Sequence, residues 1–157
     1  MPRCLSRSIA LLALTASAMP LAQSEYAPMT SVFPADLKWA NFPIIPKGIQ
    51  LATVYGDPSK PGPYIFRARM SAGTKLFAHR HPDERWVTVL QGTYRSAVGE
   101  NFDLATATEY PEGSFYVTEA NAPHFSYAVT DVIVQEQGVG PTGMAYVHDD
   151  DDPRRRH

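Results

Sequence analysis

The sequence predicts an all-β single domain, and three observations carry that expectation. Short apolar, β-branched runs recur along the chain, glycine- and proline-rich turns separate them, and 14 prolines with ten glycines in 157 residues work against a helical bundle. That proline share, against a norm of roughly 5%, punctuates a chain of short strands. With 44% hydrophobic residues the chain can bury one core, and its length is short for two.

The first residues have the pattern of an export signal. Arg3 and Arg7 precede an apolar run over 9–16, and small residues follow at Ala16, Ala18 and Ala22. A basic start, a short apolar stretch and an Ala-x-Ala-like site mark a secretory signal peptide, here 1–22. The run is shorter than the ~20 apolar residues that cross a bilayer. The expected mature protein, 23–157, is periplasmic or secreted and leaves the membrane on cleavage. It also leaves behind Cys4, the chain's sole cysteine, so neither a disulfide nor a thiol nucleophile is expected.

From 25 to about 48, prolines 28, 34, 43 and 46 interrupt any long element, while Val32, Phe33, Trp39, Phe42, Ile44 and Ile45 suggest a segment laid across a sheet. The segment 39–45 could also pair two copies in a homodimer. Strands are expected over 49–55, 64–70, 86–90, 93–98, 114–117, 124–128, 132–135 and 144–147, and 102–109 has room for a helical turn. Phe77, Val87, Val89, Phe115 and Val117 are expected in the core. The acidic run 149–152 and basic run 154–156 read as a solvated terminus, with His148 and His157 exposed. A net charge of −2 carries no basic footprint, so nucleic acid is not an expected partner. The chain has no Gly-x-Ser-x-Gly motif, phosphate loop or cysteine set for a zinc finger.

The chemistry concentrates in 73–92. On a strand, His79 and His81 point to one face, their Cα atoms roughly 6.6 Å apart, a spacing that suits two imidazoles on one ion. His124, at the head of a later strand, can converge with them inside a barrel. Arg67 and Arg69 share a face of the preceding strand and could clamp a carboxylate substrate. Tyr94, Tyr116 and Gln135 are candidate hydrogen-bonders in the same pocket.

Gly73, His79, His81, the following acid and Gly92 resemble the first motif of the cupin superfamily. Gly113 and His124 keep the spacing of its second motif, with Glu119 and Asn121 where proline and glycine are usual. Of non-glycine residues, asparagine best tolerates a left-handed turn. The stretches 56–63, 87–92, 138–143 and 151–154 look like a group of small exported single-domain cupins related to the cupin domain of a zinc-dependent anti-sigma factor. The resemblance runs from about Val32 to Arg154. It implies a cupin double-stranded β-helix, a jelly-roll-like barrel, and one divalent ion (Fe, Zn, Mn, Ni or Cu) on His79, His81 and His124.

The fourth ligand departs from the family pattern. Arg85 occupies the place usual for the glutamate ligand, and Glu84 precedes it. Strict alternation turns Glu84 away and Arg85 inward, whereas a bulge at Pro82-Asp83 would re-aim Glu84 into the site. The expectation is Glu84 as fourth ligand or acid–base group; the alternative is a three-histidine centre. Two functions follow from the resemblance. One is an exported enzyme acting on a small oxygen-rich organic molecule, by dioxygenase-like oxidation or a metal-assisted lyase or isomerase step, with Arg67 or Arg69 anchoring substrate. The other is a non-catalytic, metal-stabilised binding or sensing module.

Overall fold

The computed structural model describes Ala27 and residues 29–155, and the β unit begins at Val32. The export signal expected over 1–22, Cys4 and His157 lie outside the described residues. Ten strands form two five-stranded antiparallel sheets. In chain order they are β1 (Ile49–Tyr55), β2 (Gly62–Met70), β3 (Lys75–Arg80), β4 (Arg85–Gln91), β5 (Tyr94–Val98), β6 (Thr108–Tyr110), β7 (Phe115–Thr118), β8 (His124–Ala128), β9 (Val132–Gly140) and β10 (Ala145–Tyr146). The first sheet has the order β1-β2-β9-β4-β7 and the second β10-β3-β8-β5-β6. Consecutive strands β3 and β4 therefore belong to different sheets, and the four residues between them carry the chain across.

Alternation sorts each strand into an inner and an outer face. Ala68, Met70, Val87, Val89, Val132 and Val134 of the first sheet meet Leu76, Tyr94 and Ala128 of the second in one core. Burial of each large side chain there is worth about 1.5–3 kcal/mol. The second sheet is covered on its outer face too. Phe125 packs there with Ala78 and Ala107 beneath Phe102 and Leu104, and Arg95 holds that covering loop through the carbonyls of Leu104 and Ala107.

Several expectations need correction. Phe115 and Val117 are 57% and 44% exposed, because β7 is an edge strand whose inward positions are Tyr116 and Thr118. The segment 102–109 holds a turn and then β6, with no helix. The charged terminus is built in more firmly than a solvated tail. Residues 149–155 form two 3-10 turns clasped by Arg154–Asp152 and Arg155–Asp149 ion pairs, and Asp152 is buried. The Arg154 hydrogen bond holds the Asp152 carboxyl down at about 2. The segment at 39–45, by contrast, is laid against the sheet as expected: Ala40 bridges Leu51 of β1, Trp39 lies under Arg69, and Phe42, Ile44 and Ile45 line the cavity between the sheets.

Two turns require their residue. Asn121 adopts a left-handed φ of 62°, as its place in the second motif led one to expect. Gly92, between β4 and β5, has φ 81°, and a Cβ there would stand 2.2 Å from the Asp131 carbonyl oxygen. Gly92→Ala is therefore expected to lower stability by about 1–3 kcal/mol or more in urea unfolding. A loss below about 0.5 kcal/mol would contradict that reading of the turn.

Candidate metal centre

His79, His81 and His124 meet at the wall between the sheets. All three are buried, and ring nitrogens, one from each, lie within 4.8 Å of one another. Ring centroids are 4.2 Å apart for His79 and His124, 4.9 Å for His79 and His81, and 5.2 Å for His81 and His124. The strands explain the meeting. His79 pairs directly with His124 across β3 and β8. Between Leu76 and His79 the pairing slips, with three β3 residues spanning what two span on β8, so Leu76 and His79 both face inward while Ala78 turns to the outer cluster. The backbone N–H of Asn121 donates to the His81 carbonyl at 2.7 Å, tying the first motif to the second.

Each ring is oriented through Nδ1. That of His79 donates to the Phe77 carbonyl at 2.7 Å, that of His81 to the Gly143 carbonyl at 2.6 Å, and that of His124 to the Ala122 carbonyl at 3.0 Å. A carbonyl only accepts, so each Nδ1 carries the proton and each Nε2 keeps its lone pair free. Three such nitrogens facing one another fit a divalent ion. Burial, first, and the neighbouring rings hold His79 well below its ordinary value; burial with the Arg85 charge brings His81 down to about 2; burial lowers His124. All three are neutral at pH 7, the protonation state a ligand needs.

Glu84 is not brought into this cluster. Its carboxylate accepts from the Trp86 indole at 2.6 Å on the other face of the strand. The bends at Pro82 and Asp83 leave the parity of β4 intact, so Arg85 faces inward with Val87 and Val89, and among the described residues the centre has three histidines and no acid. A buried cation beside this centre is tolerated because two carboxylates surround it. Arg85 Nη1 donates to Glu136 at 2.7 Å, Nε faces Asp83 at 3.3 Å, and Nη2 donates to the Thr142 hydroxyl at 2.8 Å. Asp83 also accepts from Tyr64 and Thr142. Nη2 lies 2.9 Å from His81 Nδ1, which already gives its proton to Gly143.

Arg67 and Arg69 do share a face, but it is the outer one. Phe66, Ala68 and Met70 take the inward positions of β2, while Arg67 binds Gln135 at 3.2 Å and Arg69 binds Gln50 at 2.7 Å. Gln135 is thereby outside as well. The histidines line a cavity of about 300 Å³ whose walls are mostly apolar, with Phe42, Ile44, Ile49, Leu51, Met70 and Met144 among them. Tyr94, Tyr116, Thr118, Arg85 and Glu136 are among its polar residues, with Thr53 and Thr142, and Lys38 lines it from the amino-terminal segment. Glu136 was missed in the sequence, although it continues the inward phase of Val132 and Val134 on β9, where a charge is out of pattern.

No family model matches the chain, and no curated protein does. Solved structures do match. The polyketide cyclase RemF from Streptomyces resistomycificus superposes with a TM-score of 0.66 at 17% identity, over 80% of this chain and 90% of that one. An RmlC-like cupin from Shewanella frigidimarina gives 0.57 at 12%, over 69% and 87%. Salicylate 1,2-dioxygenase from Pseudoaminobacter salicylatoxidans, solved with gentisate, gives 0.54 at 15%, over 64% of this chain and 29% of that one. The fold is that of the cupins.

Two outcomes are expected. In the unfolded chain each histidine titrates near 6.5, and in the folded chain below it. Below pH 6.5 the unfolded state thus binds protons that the folded state does not. Stability of the metal-free protein, full above 6.5, falls on acidification by up to about 1.4 kcal/mol per pH unit per histidine. Thermal melts between pH 8 and 4.5 read this directly, and an unchanged melting temperature would refute it. Glu84→Ala should leave metal stoichiometry at the wild-type value, whereas a ligand's loss would lower it several-fold.

Proposed function

We propose that this protein is an exported, metal-dependent enzyme of the cupin type acting on a small oxygen-rich organic molecule. The observation that carries the reading is the set of three buried imidazoles, each pinned through Nδ1 to a carbonyl, on the wall of an apolar cavity. A pocket with converging polar groups in a mostly hydrophobic lining is where small-molecule chemistry is usually sited. RemF is a cyclase and the salicylate enzyme a dioxygenase, and both fit oxidation or a lyase or isomerase step on such a molecule. Export rests on the amino-terminal pattern over 1–22.

The side chains divide the work. His79, His81 and His124 hold a divalent ion, which when bound supplies Lewis-acid polarisation of a coordinated oxygen. Apolar walls exclude water and strengthen every charge interaction within. Burial pushes the Tyr94 and Tyr116 phenols up, so both remain proton donors at neutral pH. Glu136 takes the acid–base role first expected of Glu84. It is the one carboxylate among the residues described as lining the cavity, and Arg85 holds it by one oxygen. Arg85 is a positioning residue for Glu136.

Elemental analysis of the purified protein tests the reading, with oxygen uptake measured on small hydroxy- and oxo-acids. One ion per chain with substrate-dependent turnover is expected. A tightly held zinc ion without turnover would favour the metal-stabilised binding module instead. His79→Ala should reduce metal content at least tenfold, and an unchanged content would refute the ligand set.

A further inference from the structure

The first sheet carries a second cavity on its outer face, on the side away from the histidines. Gln50, Arg69, Ile133 and Gln91 stand in one row across β1, β2, β9 and β4, because each is paired in register with the next. Walls rise at the end of that row: Asn41 and Gly48 precede β1, Ser71 follows β2, and Asp131 precedes β9. The Ser71 N–H donates to the Gly48 carbonyl at 3.0 Å and ties two of those walls together. The cleft so formed encloses about 450 Å³, room for a small molecule. Met70 and Val132 give it only backbone, since their side chains belong to the core between the sheets.

Ile133 is the apolar floor, and polar side chains surround it. Two of them are charged, with opposite sign. Arg69 is held from both sides: Nε donates to Gln50 Oε1 at 2.7 Å, Nη2 donates to the same oxygen, and the guanidinium lies 4.7 Å from the centre of the Trp39 ring. Asp131 is fixed through Oδ1, which accepts the Ala72 N–H at 2.8 Å. No ion pair joins Arg69 to Asp131 among the described residues. The side chains of Asn41, Ser71 and Gln91 make no hydrogen bond among the described residues, so two amides and a hydroxyl stand open to a ligand.

That lining selects its ligand by charge and by hydrogen-bonding type. An anion meets Asp131 and a cation meets Arg69, so a singly charged ligand is opposed by one of the two. A neutral molecule with several hydroxyls is opposed by neither. Each hydroxyl both donates and accepts, to the carboxylate and from the guanidinium, and hydrogen bonds to charged groups are the stronger kind. Amides add donors and acceptors around the rim, while Ile133 suits the C–H face of a ring. Arg69 and Asp131 are already ordered before a ligand arrives, which lowers the cost of binding. We propose that this outer cleft is a second binding site and that it takes an uncharged sugar ring. Arg69, whose place is outside the metal centre, is thereby an anchor for hydroxyls at a separate site, and the inference is independent of any metal.

The test is a titration of the isotope-labelled native protein, followed through the NMR signals of side-chain amides and histidine rings. Methyl glucoside, methyl galactoside and methyl mannoside are the probes, each beside its uronate and its amino-sugar counterpart. At least one neutral glycoside should bind with a dissociation constant of about 1 mM or tighter. It should shift the amide signals of Asn41, Gln50 and Gln91 and bind at least tenfold more tightly than its charged counterparts. Gln91→Ala removes one open amide from an exposed position and should weaken that glycoside at least fivefold. No binding by any of the three, tighter binding of a uronate or an amino sugar, or an affinity that Gln91→Ala leaves unchanged overturns the proposal. Shifts at His79, His81 and His124 in place of the amides put the sugar in the inner cavity and overturn it too. Free glutamine, a zwitterion able to divide its charges between Arg69 and Asp131, is titrated alongside; tighter binding than every glycoside has the same consequence. The titrations on the native protein stand whether or not the glutamine variant folds.

Discussion

One buried cation organises the end of the barrel where the histidines meet. Arg85 opens β4 facing inward, its charge met by Glu136 from β9 and Asp83 from the crossing loop, and it donates to Thr142 from beyond β9. Breaking such a network by removing one partner typically costs about 3–5 kcal/mol, because the remaining charges stay buried. The same contacts fix the path of the four residues between the sheets, and His81 is the first of them. Its ring is then locked by the Gly143 carbonyl, one residue past the threonine that Arg85 holds. Geometry of the metal centre and charge balance of the cavity are thus one problem with one solution.

That solution accounts for what the centre lacks. An acid at position 85 would face the imidazoles as a ligand; an arginine there requires acids of its own, and Glu136 and Asp83 meet that need. Glu84, one residue earlier, is on the wrong side of the strand and settles against Trp86. The absence of an acid ligand and the engagement of Glu136 both follow from a single side-chain identity.

Much of this was legible in the chain. The strands at 49–55 and 124–128 end where alternation and turn residues say they should, and the left-handed Asn121 follows from its place in a glycine-like turn. Tyr94 and Tyr116 line the cavity as anticipated. Alternation also states that Glu84 points away from His79 and His81. It was the allowance for a bulge at Pro82-Asp83 that drew Glu84 into the expected ligand set, and the bends there did not change the parity. A slip does occur, but in β3 before His79, where no glycine or proline announces it.

Residue type and spacing alone determined the all-β class, the histidine pair on one strand face and the third histidine at the head of another strand, because period-two alternation and turn chemistry are local properties. Which face of a strand is inside was decided only by the packing of the sheets. Arg67 and Arg69 share a face by local geometry, yet only the partner sheet makes that face the outer one, and Phe115 and Val117 are outside because the register of β7 against β4 sets Tyr116 beside Val87 and Thr118 beside Arg85 on the inner face. Glu136 joins the site for the same reason. Its position 51 residues from Arg85 carries no local signal of the contact, which exists because β9 lies beside β4 and the buried guanidinium needs a counter-charge.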